Sequence, residues 1–337
     1  MDPRRKGREV IVSTTPLRIS FFGGGSDIRS YYAKHGGVVL STTIDKSIWI
    51  ASNFCEPKHV RVVYSQAEVV DDVNALKHDR VRETLKAFNV RSNFEMCSFS
   101  DVSTKGTGLG SSSTFTVGMV SALSALSKKH LNVGHVAELA CEIEIDKCGE
   151  PIGKQDQYAA AYGGFNMIEF DKDGSVEVTP MNKLTPTYTL LELNDNLICF
   201  NTNKTRNASS ILQEQVAHLV AGSNVEGTQQ LVSMAREAVY LLKKDKLEDF
   251  GSLLHESWQV KKSLSSGISD PDIDEMYELG LKSGALGGKL LGAGGGGYML
   301  FYVPFGRRHK LREAMLKAGY NQFSFKFNYS GTRTTAV

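Results

Sequence analysis

Residues 103–115 read Ser-Thr-Lys-Gly-Thr-Gly-Leu-Gly-Ser-Ser-Ser-Thr-Phe. Gly106, Gly108 and Gly110 alternate with other residues, and Ser111, Ser112 and Ser113 follow at once. Glycine reaches positive φ and lets backbone approach a ligand closely. Serines at a helix start cap it and leave amide groups pointing outward. Because an apolar, helix-like run comes next, the stretch predicts a loop feeding a helix N-terminus, a ready anion site. Taken alone, the same residues also suit a flexible Gly/Ser turn with an ordinary cap. The rest of the chain decides between the two.

The chain has 337 residues, of which 41% are hydrophobic and 23% charged, an ordinary globular composition long enough for two domains. A formal net charge of +2 implies no global pull toward nucleic acid or a membrane surface, so neither partner is expected. Five cysteines, Cys55, Cys97, Cys141, Cys148 and Cys199, are scattered without a C-x-x-C pair. They argue against a disulfide framework or a zinc site and suit a reducing, cytoplasmic setting. The basic start, residues 1–10, lacks an apolar stretch after it and reads as a loose tail. No apolar run is long enough to span a membrane. Composition leaves the oligomeric state open, and a homodimer is compatible with it.

Hydrophobic periodicity predicts strands at 10–19, 37–44, 47–53, 59–64 and 94–100, with helices at 30–34, 73–87 and 112–130. Phe115, Met119, Leu123 and Leu126 share one face of the last of these. A further helix at 134–148 places Glu144 on the side of Ala137, Ala140, Cys141 and Cys148, unlike Glu138 and Glu142. An inward acid needs a cation or an ion-pair partner, and the spacing leaves both open. Residues 149–164 read as a second unusual loop, and 165–170 with 175–179 as a hairpin over Asp173–Gly174. Composition changes near 180–186, which divides the chain into 1–180 and 181–337. Beyond it lie a strand at 197–201, helices at 208–221, 227–243, 246–264 and 271–283, a glycine run, a strand at 298–303, a helix at 308–318 and a last strand at 321–327. Strands and helices mix without regular alternation, so the expected class is α+β.

Known phosphate motifs can be tested in turn. The loop at 106–113 lacks the Walker pattern. Gly292-Ala-Gly-Gly-Gly-Gly297 matches the letters of a dinucleotide fingerprint, but a β-type run follows instead of a helix. The signature strings of protein kinases are absent. Three segments together resemble the superfamily of galactokinase, homoserine kinase, mevalonate kinase and phosphomevalonate kinase. They are Pro16-Leu-Arg-Ile-Ser-Phe-Phe-Gly-Gly-Gly-Ser-Asp27, the loop at 105–113, and Lys289-Leu-Leu-Gly-Ala-Gly-Gly-Gly-Gly297. The Phe-Phe-Gly-Gly-Gly-Ser-Asp form of the first, with Ser41-Thr-Thr-Ile-Asp45, is similar to the bacterial D-glycero-α-D-manno-heptose 7-phosphate kinases.

That resemblance implies a two-domain fold with the active site in the cleft between its halves. It also implies ATP and Mg²⁺ as cofactors, and transfer of the γ-phosphate to the anomeric O1 of a sugar phosphate, on the way to GDP-heptose. Residues Lys105, Gly106, Gly108, Leu109, Gly110, Ser111, Ser112 and Ser113 are then expected on the ATP phosphates, with Ser112 and Glu144 on the metal. The same reasoning puts Asp156 beside the acceptor hydroxyl, in the loop Pro151-Ile-Gly-Lys-Gln-Asp156, and Arg18 near the transferred group. Asp27 matches a sugar-binding position. Gly24 and Gly25 stand where galactokinases carry bulkier polar residues, which opens room for a larger or phosphorylated sugar. For the sugar's own phosphate the candidates are Lys154, Lys204, Arg206 and the Gly23–Gly25 amides, and the third glycine loop, with Gly294 and Gly295, is expected beside the acceptor. Trp49, Asn53 and Tyr64 are candidate walls for adenine. A free sugar such as L-fucose as acceptor, and a non-catalytic sugar or nucleotide sensor, are the competing readings. The presence of Ser112, Glu144 and Asp156 speaks against the sensor.

Overall fold

The computed structural model describes residues 9–56, 58–103, 106–205 and 208–337, with Ala208 by its backbone alone. Lys105, Arg206 and the tail up to residue 8 lie outside the described residues. The first half runs β1 (Ile11–Phe22), α1 (Arg29–His35), β2 (Gly37–Phe54), β3 (Val60–Val63), β4 (Ala67–Val70), α2 (Asp79–Ala87) and β5 (Phe94–Ser100). It continues through α3 (Ser111–Leu126), α4 (Val133–Cys141), α5 (Gln155–Tyr162), β6 (Phe165–Phe170) and β7 (Val176–Pro180). The second half adds α6 (Thr187–Asn196), β8 (Leu197–Asn201), α7 (Ala208–Ala221), α8 (Val225–Lys243), α9 (Leu247–Ser263) and α10 (Pro271–Lys282). After these come β9 (Gly287–Leu290), β10 (Tyr298–Tyr302), α11 (Arg308–Lys317), β11 (Gln322–Phe323), β12 (Phe327–Asn328) and β13 (Arg333–Ala336). The class is α+β, as expected.

Two sheets organise these elements. The larger follows the order β13-β1-β2-β5-β3-β4, with β6 and β12 also on β2 and β7 on β6. The smaller has the order β11-β8-β10-β9 and is antiparallel throughout. Two expected strands at 37–44 and 47–53 are one strand, β2. The polar pair Asp45–Lys46 marks a change of partner rather than a break. Residues before it pair with β6 and those after it with β5.

Pairing of β1 with β2 slips twice, between Pro16 and Arg18 and between Ser20 and Phe22. Pro16 has no amide to donate, which disrupts the ladder there. The Arg18 amide is released and donates instead to the Leu109 carbonyl at 3.1 Å. A strand irregularity thus docks the glycine loop onto the sheet.

Helix α3 packs on β1, β2, α4 and α5. The sequence assigned it one apolar face, yet Val117, Gly118, Val120 and Ala122 are buried as well as Phe115, Met119 and Leu123. Small residues let the sheet approach: a Cβ on Gly118 would stand 3.0 Å from the Thr15 hydroxyl. A helix enclosed on all sides needs no polar face.

Three expectations change. The stretch 134–148 is α4 followed by a π-helical turn, Glu142–Lys147, rather than one regular helix. The supposed loop at 149–164 contains α5, whose alanines 159–161 favour helix strongly. The last strand at 321–327 is two short pairings in different sheets, after which the chain returns as β13 beside β1. Residues 327–336, grouped with the second half by sequence, therefore complete the first sheet.

Removing residues 331–337 should lower the urea unfolding midpoint by an amount equivalent to on the order of 2–4 kcal/mol, from the lost β1–β13 ladder and the Thr332–Thr15 contact. An unchanged midpoint would show that this return strand contributes nothing to stability.

Candidate active site

A single cleft collects many of the residues that the sequence singled out, together with others. Its lining includes Arg18, Gly24, Gly25, Asp27, Gly106, Gly108, Gly110, Ser111, Ser112, Ser113, Gln155 and Asp156. From the second half come Ser257, Lys261, Lys289, Gly292 and Ala293.

The loop before α3 is held open by its glycines. Gly106, Gly108 and Gly110 all have positive φ. The helix cap is Gly110 in the left-handed conformation, and no side chain caps the first turn, contrary to the serine cap expected. The first-turn amides of Ser111–Ser113 therefore remain free to bind an anion, with the positive end of a 16-residue helix behind them. A Cβ on Gly108 would lie 2.3 Å from the Leu291 carbonyl oxygen, and one on Gly292 would lie 2.4 Å from the Gly108 Cα. Backbone touches backbone there, and the two glycine signatures form one wall of the cleft. Leu109 is fully buried and takes part through its carbonyl, which accepts from Arg18.

Arg18 and Asp156 meet at the end of this loop. Arg18 Nε donates to Asp156 Oδ1 and Nη2 to Oδ2, both at 2.7 Å, a bidentate pair. The third nitrogen, Nη1, donates to the Gly108 carbonyl. Asp156 lies in the first turn of α5, where the helix dipole favours a carboxylate.

Glu144 is fully buried, as its spacing implied, and its partner is an arginine the sequence did not single out. Arg80 Nε donates to Glu144 Oε1 at 2.8 Å, and Gln157 Nε2 to Oε2 at 2.6 Å. Ser113 bonds to the same carboxylate. Burial still holds the Glu144 pKa above the ordinary value, against the pull of Arg80. Through Nη2, Arg80 also reaches Glu150 at 2.7 Å. Arg80, Glu150 and Ser112 line the cleft. The Ser112 hydroxyl and these carboxylates are hard oxygen donors of the kind Mg²⁺ takes. Glu144 would join such a set only by exchanging the guanidinium for the metal.

At the other end, Asp27 is 2% exposed and holds two turns together. Its Oδ1 accepts from the Gly25 amide and Gln155 Nε2, and Oδ2 accepts from the Gln155 amide, at 3.0–3.1 Å. Burial holds its pKa above the usual range; the Gln155 amide opposes this and the Asp156 charge adds to it. Gly153 is required here, since a Cβ would fall 2.0 Å from Asp27 Oδ2. Gln155 Oε1 and Ser20 Oγ are buried in the cleft wall with no hydrogen-bond partner among the described residues. The amide oxygen can accept a hydrogen bond from a ligand, and the serine hydroxyl can donate or accept one.

Several expected ligands are engaged elsewhere. Lys154 is 4% exposed and its Nζ donates to Glu138 and to the Gly174 carbonyl, so it braces α4 against the hairpin turn. Lys204 pairs with Asp270 and Asp272. Gly294 and Gly295 pack on the backbone of Ile268, and the cleft takes Gly292 and Ala293 from that turn instead. Trp49 lies 40% exposed on β2, and neither it nor Asn53 nor Tyr64 contributes to the cleft lining. Sequence reasoning missed Arg80, Gln155, Ser20, Lys261 and Lys289. Lys289 opens the third glycine signature, which was a usable signal; nothing in the sequence separates Lys261 from Lys262.

The family description "GHMP kinases N terminal domain" matches residues 74–164, and "GHMP kinases C terminal" matches 238–321. Along 98% of its length the chain is 31% identical to the D-glycero-alpha-D-manno-heptose 7-phosphate kinase of Campylobacter jejuni, and the alignment covers 100% of that protein. A crystal structure of a putative sugar kinase from Campylobacter jejuni superposes with a TM-score of 0.79 at 29% identity, over 98% of this chain and 100% of that one. That of a D-glycero-D-manno-heptose 1-phosphate kinase from Bacteroides thetaiotaomicron gives 0.80 at 23% identity, over 97% and 99%. With both halves matched and a relative of this similarity along its whole length, the chain belongs to the GHMP kinase family and is an ATP-dependent sugar kinase.

Proposed function

We propose that this kinase phosphorylates the anomeric O1 of D-glycero-α-D-manno-heptose 7-phosphate, giving the 1,7-bisphosphate, a step toward GDP-heptose. The observation that carries the reading is the bidentate Arg18–Asp156 pair, set where the phosphate loop ends and the Asp27 pocket begins. Whole-chain similarity to a heptose 7-phosphate kinase supports this choice of acceptor. So does the space left by Gly24 and Gly25, where a Cβ on Gly25 would meet nothing within 4 Å.

Phosphoryl transfer asks a protein for position and charge more than for covalent chemistry. The amides at 111–113 and the α3 dipole hold the ATP phosphates. Asp156 orients the O1 hydroxyl and receives its proton as the O1–phosphorus bond forms and the bond to ADP breaks. Arg18 fixes both Asp156 oxygens and places a positive charge beside the transferring group. Asp27 and Gln155 Oε1 accept from sugar hydroxyls. Mg²⁺, held by Ser112 and Glu144 after Arg80 yields, would neutralise phosphate charge. The freed Arg80 would remain at the phosphate end as a second cation.

Asp156→Asn should lower kcat by at least about a hundredfold while leaving the Kd for ATP within about twofold, measured by steady-state kinetics and nucleotide titration. Near wild-type turnover would remove Asp156 from the reaction. Ser112→Ala should raise the Mg²⁺ concentration for half-maximal rate several-fold with the sugar KM nearly constant; an unchanged metal dependence would exclude Ser112 as a ligand. An ATP-consumption screen over heptose 7-phosphates, free heptoses and free hexoses tests the acceptor. Preference for L-fucose or another free sugar would overturn the heptose 7-phosphate assignment.

A further inference from the structure

Two lysines in the cleft take no part in the roles above. Lys289, on β9, is 5% exposed, and its Nζ donates to the Phe21 carbonyl at 2.7 Å. Lys261, on α9, donates to the carbonyls of Leu290 and Gly292. Both line the cleft, and among the described residues neither has a carboxylate partner. Ser20 Oγ, on the same strand as Phe21, is the unpartnered hydroxyl in the wall. The nearby Arg18 charge is already committed to Asp156.

A buried ammonium without a counter-charge is costly, and so is a buried hydroxyl without a partner. Burial, then the charge of Arg18, pushes the Lys261 pKa down to about 7. Burial, then Lys261 and Arg18, pushes Lys289 well below the usual lysine range. One kind of ligand relieves all three groups: a dianion with several acceptor oxygens. The nucleotide phosphates already have a site at the other end, built from the α3 amides. The lysines rise from the second half of the chain, and Lys289 anchors just before the Gly23–Gly25 turn that frames Asp27. Lys289 thus stands beside the acceptor turn, and Lys261 lies near it, where the third glycine loop meets the loop before α3.

We propose that Lys261, Lys289 and Ser20 form a second anion subsite, which holds a phosphate monoester already carried by the acceptor sugar. The inference rests on the sugar-phosphate reading above and identifies the part of the chain that recognises the acceptor's own phosphate. Arriving dianion favours the charged lysines, so binding takes up protons above neutral pH. The other charged groups facing this region are Arg18, Asp27 and Asp156.

Calorimetric titration with inorganic phosphate tests the subsite, using the full chain with its nucleotide site filled by MgADP, at pH 8 and in two buffers of different ionisation enthalpy. Wild type should bind phosphate with proton uptake. Lys261→Met and Lys289→Met should each weaken binding about tenfold or more and reduce the uptake. In kinetics, the same variants should raise KM for heptose 7-phosphate about tenfold, with KM for ATP and kcat/KM on the free heptose held within about twofold. Replacing a buried cation by methionine removes a desolvation cost, and thermal melts will confirm folding; Lys261→Gln gives a polar second version. Unchanged phosphate binding in both methionine variants would overturn the proposal. Equal losses on free and phosphorylated sugar would also overturn it, by placing the lysines on the transferred group. If wild type binds phosphate through the lysines but phosphorylates no sugar phosphate, the subsite stands and the substrate assignment falls.

Discussion

Arg18 is the point on which the cleft depends. Its amide holds the phosphate loop through Leu109, one guanidinium nitrogen holds the same loop through Gly108, and the other two hold Asp156 on α5. A strand, a glycine loop and a helix start are fixed by one side chain that is 5% exposed. Arginine suits this task because its planar fork binds a carboxylate with two bonds and still has a donor to spare. A lysine could neutralise Asp156 but could not hold three elements in a fixed relation.

Around that point the cleft is electrostatically uneven. The α3 end offers amides and a helix dipole, while its nearby acids, Glu144 and Glu150, share the one guanidinium of Arg80. Toward the Gly23–Gly25 turn, Asp27 and Asp156 lie on either side of Gln155, and two lysines lack any acidic partner among the described residues. The unpaired donors of the cleft, the α3 amides and the two lysines, favour negative charge in a ligand, whereas the Arg18–Asp156 pair is internally balanced.

Legibility in the sequence followed the range of the interaction. Glycine spacing disclosed the loop before α3 because positive φ is a local requirement. Helical spacing turned Glu144 inward despite the π-helical turn, because one added residue per turn did not carry it off the buried side. Spacing could not disclose Arg80, which reaches Glu144 from 64 positions away. Lys154 looked like a phosphate ligand because it sits in the right loop; only its distance to Glu138 reveals a brace. α5 was hidden by the glycines and proline before it, although its alanine run was a fair signal. Asp27 and Asp156 both stood out in the sequence and both line the cleft, but that Asp27 spends its oxygens on Gly25 and Gln155 is a tertiary fact.

The return of β13 to the edge of β1 has a consequence for synthesis. Ile11 waits for Ala336, and Thr15 for Thr332, a separation of 317 residues. The strand that carries Arg18 is synthesised well ahead of the segment that covers its outer edge, with 317 positions between Thr15 and Thr332. Contacts of such sequence separation form late and slowly. During translation β1 is therefore an unprotected edge, a template for pairing with other nascent chains. Completion of the larger sheet therefore waits until both halves of the chain have been made.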